Sequence, residues 1–406
     1  MQEAVQIVKT LISKGYVAYF AGGWVRDYIL NHPSDDIDIA TNASPEVIEA
    51  LFSHTIPIGK AFGIILVIIN SKQYEVATFR EDVEYKDGRR PSEIKFSTPQ
   101  KDAFRRDFTI NGMFYDPIKK EIIDFVDGKK DIENKIIRFI NNPEERIKED
   151  RLRMIRAIRL SARFNFSIEN DSQKAILKFS NTLFPSVSIE RVVQEFGKMA
   201  NYKGFKKAIE MLFEFKLLQT IFPILTNLKK EEFEKRIKLI DDFPPKTPVI
   251  ISILELFEDT TQDQKIEICK YLKLSNAEID FVRFYDDSLK LIKKENNVQD
   301  HRWAIFYANK NFDLVIEILA IHIESKKRLE FLANHEKKQE KLKVFIERIK
   351  NNDPIVKAEH LKMCHINPSK LMGQLLQEAE KISINQKILD PLKVIDELKK
   401  SPLWPK

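Results

Sequence analysis

The distribution of glycine divides this 406-residue chain in two. Eight of its eleven glycines lie at or before residue 128, and after residue 200 only Gly204 and Gly373 remain. Glycine supplies the positive-φ turns that join short strands, and it weakens helix interiors. The β-like runs share the glycine-rich part. "YVAYFAGG", "DIDIAT", "GIILVII", "YEVATF" and "EIKF" are short, β-branched or aromatic, and bounded by turn residues. From about residue 140, apolar residues recur at three- and four-residue spacing with Lys and Glu between them. The pattern predicts an α+β head of about 140 residues followed by an all-helical remainder. Within that remainder, "FPPKTP" (243–248) and "NNDP" (351–354) read as breaks.

Composition narrows the class. A hydrophobic fraction of 43% is that of a globular protein with a real core. No run approaches the roughly 18–20 apolar residues of a membrane helix. "MQEAVQIVKTLISKGYVAYF" reads as an amphipathic helix and then a strand, not as a signal peptide. Only Cys269 and Cys364 occur, which argues against a disulfide framework or a cysteine zinc site and fits a reducing, cytoplasmic setting. A net charge of +6 permits a nucleic-acid partner, and a Lys-rich solvated surface explains it equally. The segment "ESKKRLEFLANHEKKQEKLKVFIERIKNN" likewise reads as a solvated helix face or as an RNA contact.

The stretch "GGWVRDYILNHPSDDIDIAT" (22–41) carries the chemistry. "YFAGG" reads as a strand entering a glycine turn, with "WVRDYIL" as the helix after it. Gly22 and Gly23 there either let backbone N–H groups approach an anion or simply satisfy a positive-φ turn. If "DDIDIAT" is a strand, Asp36 and Asp38 share one face while Ile37 and Ile39 enter the core. Asp35 falls on the other face, at the strand's entrance. Two adjacent carboxylates repel unless a cation lies between them, and hard oxygen donors suit Mg²⁺. Acids capping an edge strand are the plain alternative. Glu75 in "YEVATF" joins the same face if its strand pairs in register.

The pattern GG-x-VRD followed by D-x-D-IAT resembles the signature of the polymerase-β-like nucleotidyltransferases. More narrowly it is similar to class II tRNA nucleotidyltransferases, the CCA-adding enzymes, and to the related bacterial poly(A) polymerases. "RRDFTIN" (105–111), "DFVDG" (124–128), "EDRLR" (149–153) and "SIERVVQE" (188–195) follow in the family's order. The resemblance is strong over about residues 17–200; beyond that only length and helical character agree. It implies a mixed or antiparallel-sheet nucleotidyltransferase head (1–140), a helical neck that recognises the base (141–200), a helical body (201–290) and a helical tail that binds tRNA (291–406).

The resemblance implies that an RNA 3′-hydroxyl attacks the α-phosphate of CTP or ATP and pyrophosphate leaves. It implies two Mg²⁺ ions on Asp36 and Asp38; Glu75 would complete the catalytic carboxylates only if its strand pairs in register, a plain exposed Glu being the alternative. Gly22, Gly23 and Arg26 would lie near the triphosphate; pairing of Arg26 with Asp27 or a core acid is the alternative. Arg106 and Asp107 would reach sugar and phosphates, although Asp107 is also a good cap for an apolar helix after it. Asn111 is grouped with them without an independent argument. In "EDRLRMIRAIR", a single helix puts Leu152, Ile155, Ile158 and Ala162 on one side and Glu149, Asp150, Arg153 and Arg156 on the other. Asp150 and Arg153, three apart, form either a plain ion pair or a protein template for the base. Cytosine and adenine each present an amino donor beside a ring-nitrogen acceptor, which an Asp and an Arg match; uracil and guanine present the opposite polarity.

"DFVDG", with Asp124 four before Gly128, is a hinge by resemblance or a plain Asp-Gly turn. The polar loop 81–93, with Arg89 and Arg90, is of a kind the resemblance links to addition of the final A. Glu190 and Arg191 read as structural. Asp35 stands where the family often has a basic residue, and "IGKAFGIILV" lacks the second basic residue expected of a poly(A) polymerase. A poly(A) polymerase and a catalytically silent RNA-binding protein remain the rival readings.

Overall fold

A computed structural model of the chain describes residues 1–32, 34–85, 91–294 and 298–405. Its contacts divide into two compact units, Met1–Glu232 and Phe233–Lys406.

The first unit opens with α1 (Gln2–Ser13). Ala4, Ile7, Val8 and Leu11 recur at helical spacing and are buried, packing on β1 (Ala18–Ala21) and β2 (Asp38–Thr41). Between these strands lies α2 (Gly23–Ile29), and after β2 come α3 (Pro45–Leu51), β3 (Thr55–Gly59), β4 (Ile64–Ile69) and β5 (Lys72–Thr78). The expected strands in "YVAYFAGG", "DIDIAT", "GIILVII" and "YEVATF" are present. The polar loop expected at 81–93 is instead largely strand. β6 (Arg80–Tyr85) and β7 (Pro91–Phe96) form an antiparallel hairpin whose Arg89 and Arg90 lie outside the described residues. After α4 (Pro99–Phe104), the apolar helix expected to follow Asp107 is only a 3₁₀ turn, Thr109–Asn111. It leads into β8 (Phe114–Asp116) and β9 (Glu121–Ile123). The seven-stranded sheet has the order β3-β4-β5-β2-β1-β8-β9. β2 and β5 are parallel, and every other neighbouring pair is antiparallel.

Helices complete this unit: α5 (Gly128–Glu133), α6 (Pro143–Glu149), α7 (Leu152–Phe164), α8 (Asn170–Phe179), α9 (Ile189–Ala200) and α10 (Phe205–Glu214), then shorter ones. The single helix expected through "EDRLRMIRAIR" is broken. Asp150 is extended (φ −148°, ψ 105°), and its Oδ1 accepts from Leu152 N at 3.0 Å. Asp150 therefore starts α7 rather than continuing α6. The apolar side of α7 is buried as expected, with Leu152, Ile155, Ile158 and Ala162 each at most 9% exposed. It packs on α9.

The second unit is helical. The breaks at 243–248 and 351–354 fall between helices. One core gathers Leu361, Leu375, Val394 and Leu398. The charged segment is a 26-residue helix, Ser325–Lys350, whose buried residues are His335, Leu342, Phe345 and Ile346. Most of its surface is therefore solvated. Among the described residues, no helix is long and apolar enough to cross a membrane.

One half-buried acid here gives a pH dependence. Burial pushes the Glu255 carboxyl up to about 7, with Lys265 opposing. His322 Nε2 lies 3.6 Å from Glu255 Oε1, and burial and Arg328 lower its pKa. Tyr285 Oη sits 3.3 Å from the same nitrogen. A carboxyl that holds its proton more tightly when folded contributes stability below its ordinary pKa of about 4.5, and that contribution is lost as pH rises to about 7. Glu255→Gln is expected to be near neutral at pH 5 and stabilising at pH 8, by up to about 3 kcal/mol. Thermal unfolding of both proteins at the two pH values checks this; equal effects would show that Glu255 stays ionised in the fold.

Candidate active site

Asp38 leads β2, between Ala21 of β1 and the Glu75 position of β5. Ala21 pairs with Asp38, and the Ile39–Val76 pairing places Glu75 opposite Asp38. Val76 and Tyr74 are buried while Glu75 is exposed, so Glu75 faces the open side as expected. Asp36 lies before the strand rather than within it. Ile37 and Ile39 are nonetheless both buried, and Asp36 and Asp38 reach solvent on the same side. The surrounding protein partly desolvates the Asp38 carboxyl although an edge of it reaches solvent. That desolvation, followed by Glu75 and Asp36, pushes it up to about 6 against the pull of Arg106. The three carboxylates thus act on one another, and such a set of hard oxygen donors fits a divalent cation. Among the described residues, no three His, Cys, Asp or Glu side chains are already gathered as a metal cage.

Asp35 is exposed, and the groups that feel it are Lys72 and Tyr74. It is absent from the cavity wall described below. Asp35→Lys is expected to change kcat/KM by no more than about twofold. A large loss in steady-state assays would mean that Asp35 belongs to the carboxylate set.

Gly22 has φ 71°, a left-handed value that favours glycine. A Cβ there would lie 2.9 Å from Arg106 Nη1, so glycine also makes room for that guanidinium. Gly23 begins α2. Arg26 takes the pairing alternative. It is 5% exposed and donates to Asp27 Oδ1 at 2.9 Å and to Asn111 Oδ1 at 2.5 Å. Arg163 holds the other Asp27 oxygen at 3.1 Å. Arg106 donates to Asp102 Oδ2 at 3.0 Å, beside Arg105. Burial would raise Asp102, but Arg106 and Arg105 outweigh it and hold the carboxyl low.

Asp107 caps no α-helix. Its Oδ1 accepts from Phe108 N at 2.9 Å and from Asn111 Nδ2 at 3.1 Å; its Oδ2 accepts from Arg156 at 2.8 and 2.5 Å. Burial opposes ionisation, yet Arg156, Asn111 and Arg153 hold this carboxyl down at about 2. The expected Asp150–Arg153 ion pair is not the pairing found, because the helix is interrupted at Asp150. Asp150 is gripped by Arg191 at 3.3 and 2.8 Å. Arg153 donates to Glu149 at 2.5 Å and to the Arg146 carbonyl at 2.8 Å.

These groups meet in one cavity of about 990 Å³. Its wall includes Gly23, Arg26, Asp36, Asp38, Glu75, Arg106, Asp107, Asn111, Asp150, Arg153 and Arg156. Gly22 stands behind, its Cβ position 3.9 Å from Asp38 Oδ2. The sequence reading missed Arg159, Arg163, Lys198, Asn201 and Tyr202, which also line it. Arg191, read as structural, is not on that wall and holds Asp150. Arginines on amphipathic helices carry no local signal for a partner more than 30 residues away. Asp124 is a turn residue: its oxygens accept from the backbone N–H groups of Val126, Gly128 and Lys129.

A mixed sheet with carboxylates at the mouth of a basic cavity is the arrangement of a nucleotidyltransferase head. Residues 18–138 match the family model of the poly(A) polymerase head domain, and residues 165–229 match that of a probable RNA- and SrmB-binding site of polymerase A. The CCA-adding enzyme of Bacillus subtilis is 40% identical over 220 residues, 54% of this chain, and the chain spans only about half (55%) of that relative's length. The CCA-adding enzyme of Staphylococcus epidermidis is 34% identical over 335 residues, covering 82% of this chain and 80% of the relative. The chain belongs to the family of CCA-adding enzymes. Its fold matches the crystal structure of Bacillus stearothermophilus CCA-adding enzyme in complex with CTP, with a TM-score of 0.75, 24% identity and 98% of each chain covered. Nucleotidyltransferases of this family generally use divalent metal ions.

Proposed function

We propose that this protein adds CCA, or its terminal part, to tRNA 3′ ends from CTP and ATP, releasing pyrophosphate. The observation that carries the reading is that one cavity wall holds both the carboxylates Asp36, Asp38 and Glu75 and the donor–acceptor pair Asp150 and Arg153. The first set supports phosphoryl chemistry and the second supports choice of base.

Asp36 and Asp38 are the residues proposed to hold two Mg²⁺ ions, with Glu75 beside them. Bound there, such ions supply activation of the 3′-hydroxyl and neutralisation of charge on the leaving group. Arg106, in the space that Gly22 leaves, is the residue proposed to meet the triphosphate. Asp107 holds Asn111 and Arg156 together, and this trio is assigned to the ribose end of the nucleotide. Arg26 supports Asn111 from behind. Asp150 and Arg153 spend their charge on Arg191 and Glu149 rather than on each other. In this reading the Asp150 carboxylate accepts from the exocyclic amine of the base and the Arg153 guanidinium donates to its ring nitrogen. The helical remainder, divided as body (201–290) and tail (291–406), is proposed to bind tRNA by shape and phosphate contacts.

The test uses three tRNA transcripts, ending at the discriminator base, at C and at CC, each with Mg²⁺ and CTP, ATP or both. Growth by CCA followed by arrest is expected. Addition of A to the CC-ended tRNA alone narrows the function to the terminal step. Long A tails from ATP alone would replace the reading with a poly(A) polymerase, and no extension would leave an RNA-binding protein.

A further inference from the structure

The cavity holds more than one nucleotide's worth of recognition. Beyond the carboxylates and the base-reading pair, its wall continues to Arg163, Lys198, Asn201 and Tyr202. These residues belong to none of the sequence blocks above. They also form a distinct physical object. The Arg26 guanidinium lies 4.7 Å from the centre of the Phe164 ring, and Arg163 lies 4.6 Å from the same ring. The Tyr202 ring then covers Arg163 at 4.2 Å. The result is a column of alternating guanidinium and aromatic groups.

The column is rigid at its base and open at its end. Both arginines are clamped by the one carboxylate of Asp27, Arg26 at 2.8 Å and Arg163 at 3.1 Å. Arg26 and Asp27 are about 95% buried. Tyr202, by contrast, is 41% exposed. One turn earlier, Lys198 carries an amine whose side chain is 55% exposed, tethered to Glu195 at 3.2 Å. An aromatic ring backed by a cation and flanked by an exposed amine is the local chemistry of single-strand recognition. The ring stacks a base of any identity, and the amine meets a phosphate.

We infer that Tyr202, seated on Arg163 and flanked by Lys198, is the stacking platform for an unpaired nucleotide at the 3′ end of the RNA that is being extended. This rests on the proposed tRNA reading, and it adds the residues that seat the acceptor strand rather than the incoming nucleotide. Stacking tolerates every base, which suits an end whose last base differs from one RNA to the next.

The experiment compares wild type with Tyr202→Ala, Tyr202→Phe and Lys198→Ala on a minihelix RNA carrying 2-aminopurine at its unpaired 3′ end. Tyr202→Ala is expected to raise KM for the RNA about tenfold and to abolish the quenching of 2-aminopurine, with KM for CTP unchanged. Tyr202→Phe keeps the ring and is expected to restore both. Lys198→Ala is expected to lower the salt dependence of RNA binding by about one ion. Unchanged RNA KM and quenching in Tyr202→Ala would overturn the inference. So would equal losses for RNA and CTP in both Tyr202 variants, which would make the column structural only. If wild type itself extends no RNA, the functional reading fails first; the quenching signal is still read on binding alone and judges the platform separately.

Discussion

Asp38→Ala is expected to abolish nucleotidyl transfer, by a factor on the order of 10³ or more, while tRNA affinity stays within about twofold of wild type. The residue stands at the head of β2 with Glu75 beside it and Asp36 two positions before it. Its carboxyl is pushed up to about 6 because it is partly desolvated and faces those two acids. Folding holds these charges together against their repulsion, and removing one relieves strain rather than breaking a core contact. The variant should therefore fold at least as well as wild type, and a thermal melt separates lost chemistry from lost structure. Asp36→Ala is expected to behave the same way. Substantial transfer by both variants, measured by pyrophosphate release, would remove the metal assignment.

Asp150→Asn is expected to relax nucleotide choice about 10- to 100-fold while kcat with CTP falls. The amide keeps an oxygen for Leu152 N, which the start of α7 requires, but it offers an N–H where the carboxylate offered an acceptor. UTP, with its oxygen acceptor, is expected to gain most. Arg153→Ala removes the complementary donor and is expected to lose discrimination without reversing it. Single-nucleotide incorporation from each of the four triphosphates reads this directly. Unchanged selectivity in both variants would reduce Asp150 to a helix-junction cap held by Arg191, and Arg153 to a partner of Glu149.

The sheet was legible where alternation was strong. β4 and β5 bury every second residue, and β1 and β2 are short runs buried almost throughout. β8 and β9 are three residues each, and β6 and β7 are so rich in charge that their hairpin reads as a polar loop. The register that brings Glu75 to Asp38 could be stated only as a condition, because strand pairing is a long-range fact. The helix break at Asp150 was hidden by periodicity. The apolar residues of α7 continue the phase of α6 well enough that nothing announces the interruption except an Asp that can cap. The partners of the site residues were least legible. Asp107 finds Arg156 across 49 residues, and Asp150 finds Arg191 across 41. Tyr202 went unnoticed for the same reason: it has meaning only through what folding lays beside it. No shift in composition marks the boundary between the two units at residues 232 and 233.

The parallel pairing of β2 with β5 also decides where this chain can gain or lose residues. The polypeptide between the two strands makes a helix and two further strands, so an extra residue between Leu51 and Thr55 lengthens a connection and leaves Asp38 opposite Glu75. Removing one residue between Glu75 and Phe79 is different. Thr78 is fixed against Thr41, so the strand above it would be drawn along by one position. Glu75 would turn into the core and a residue meant for burial would turn into the cleft. A one-residue deletion at that point would therefore be lethal to the site, although each catalytic side chain would still be encoded.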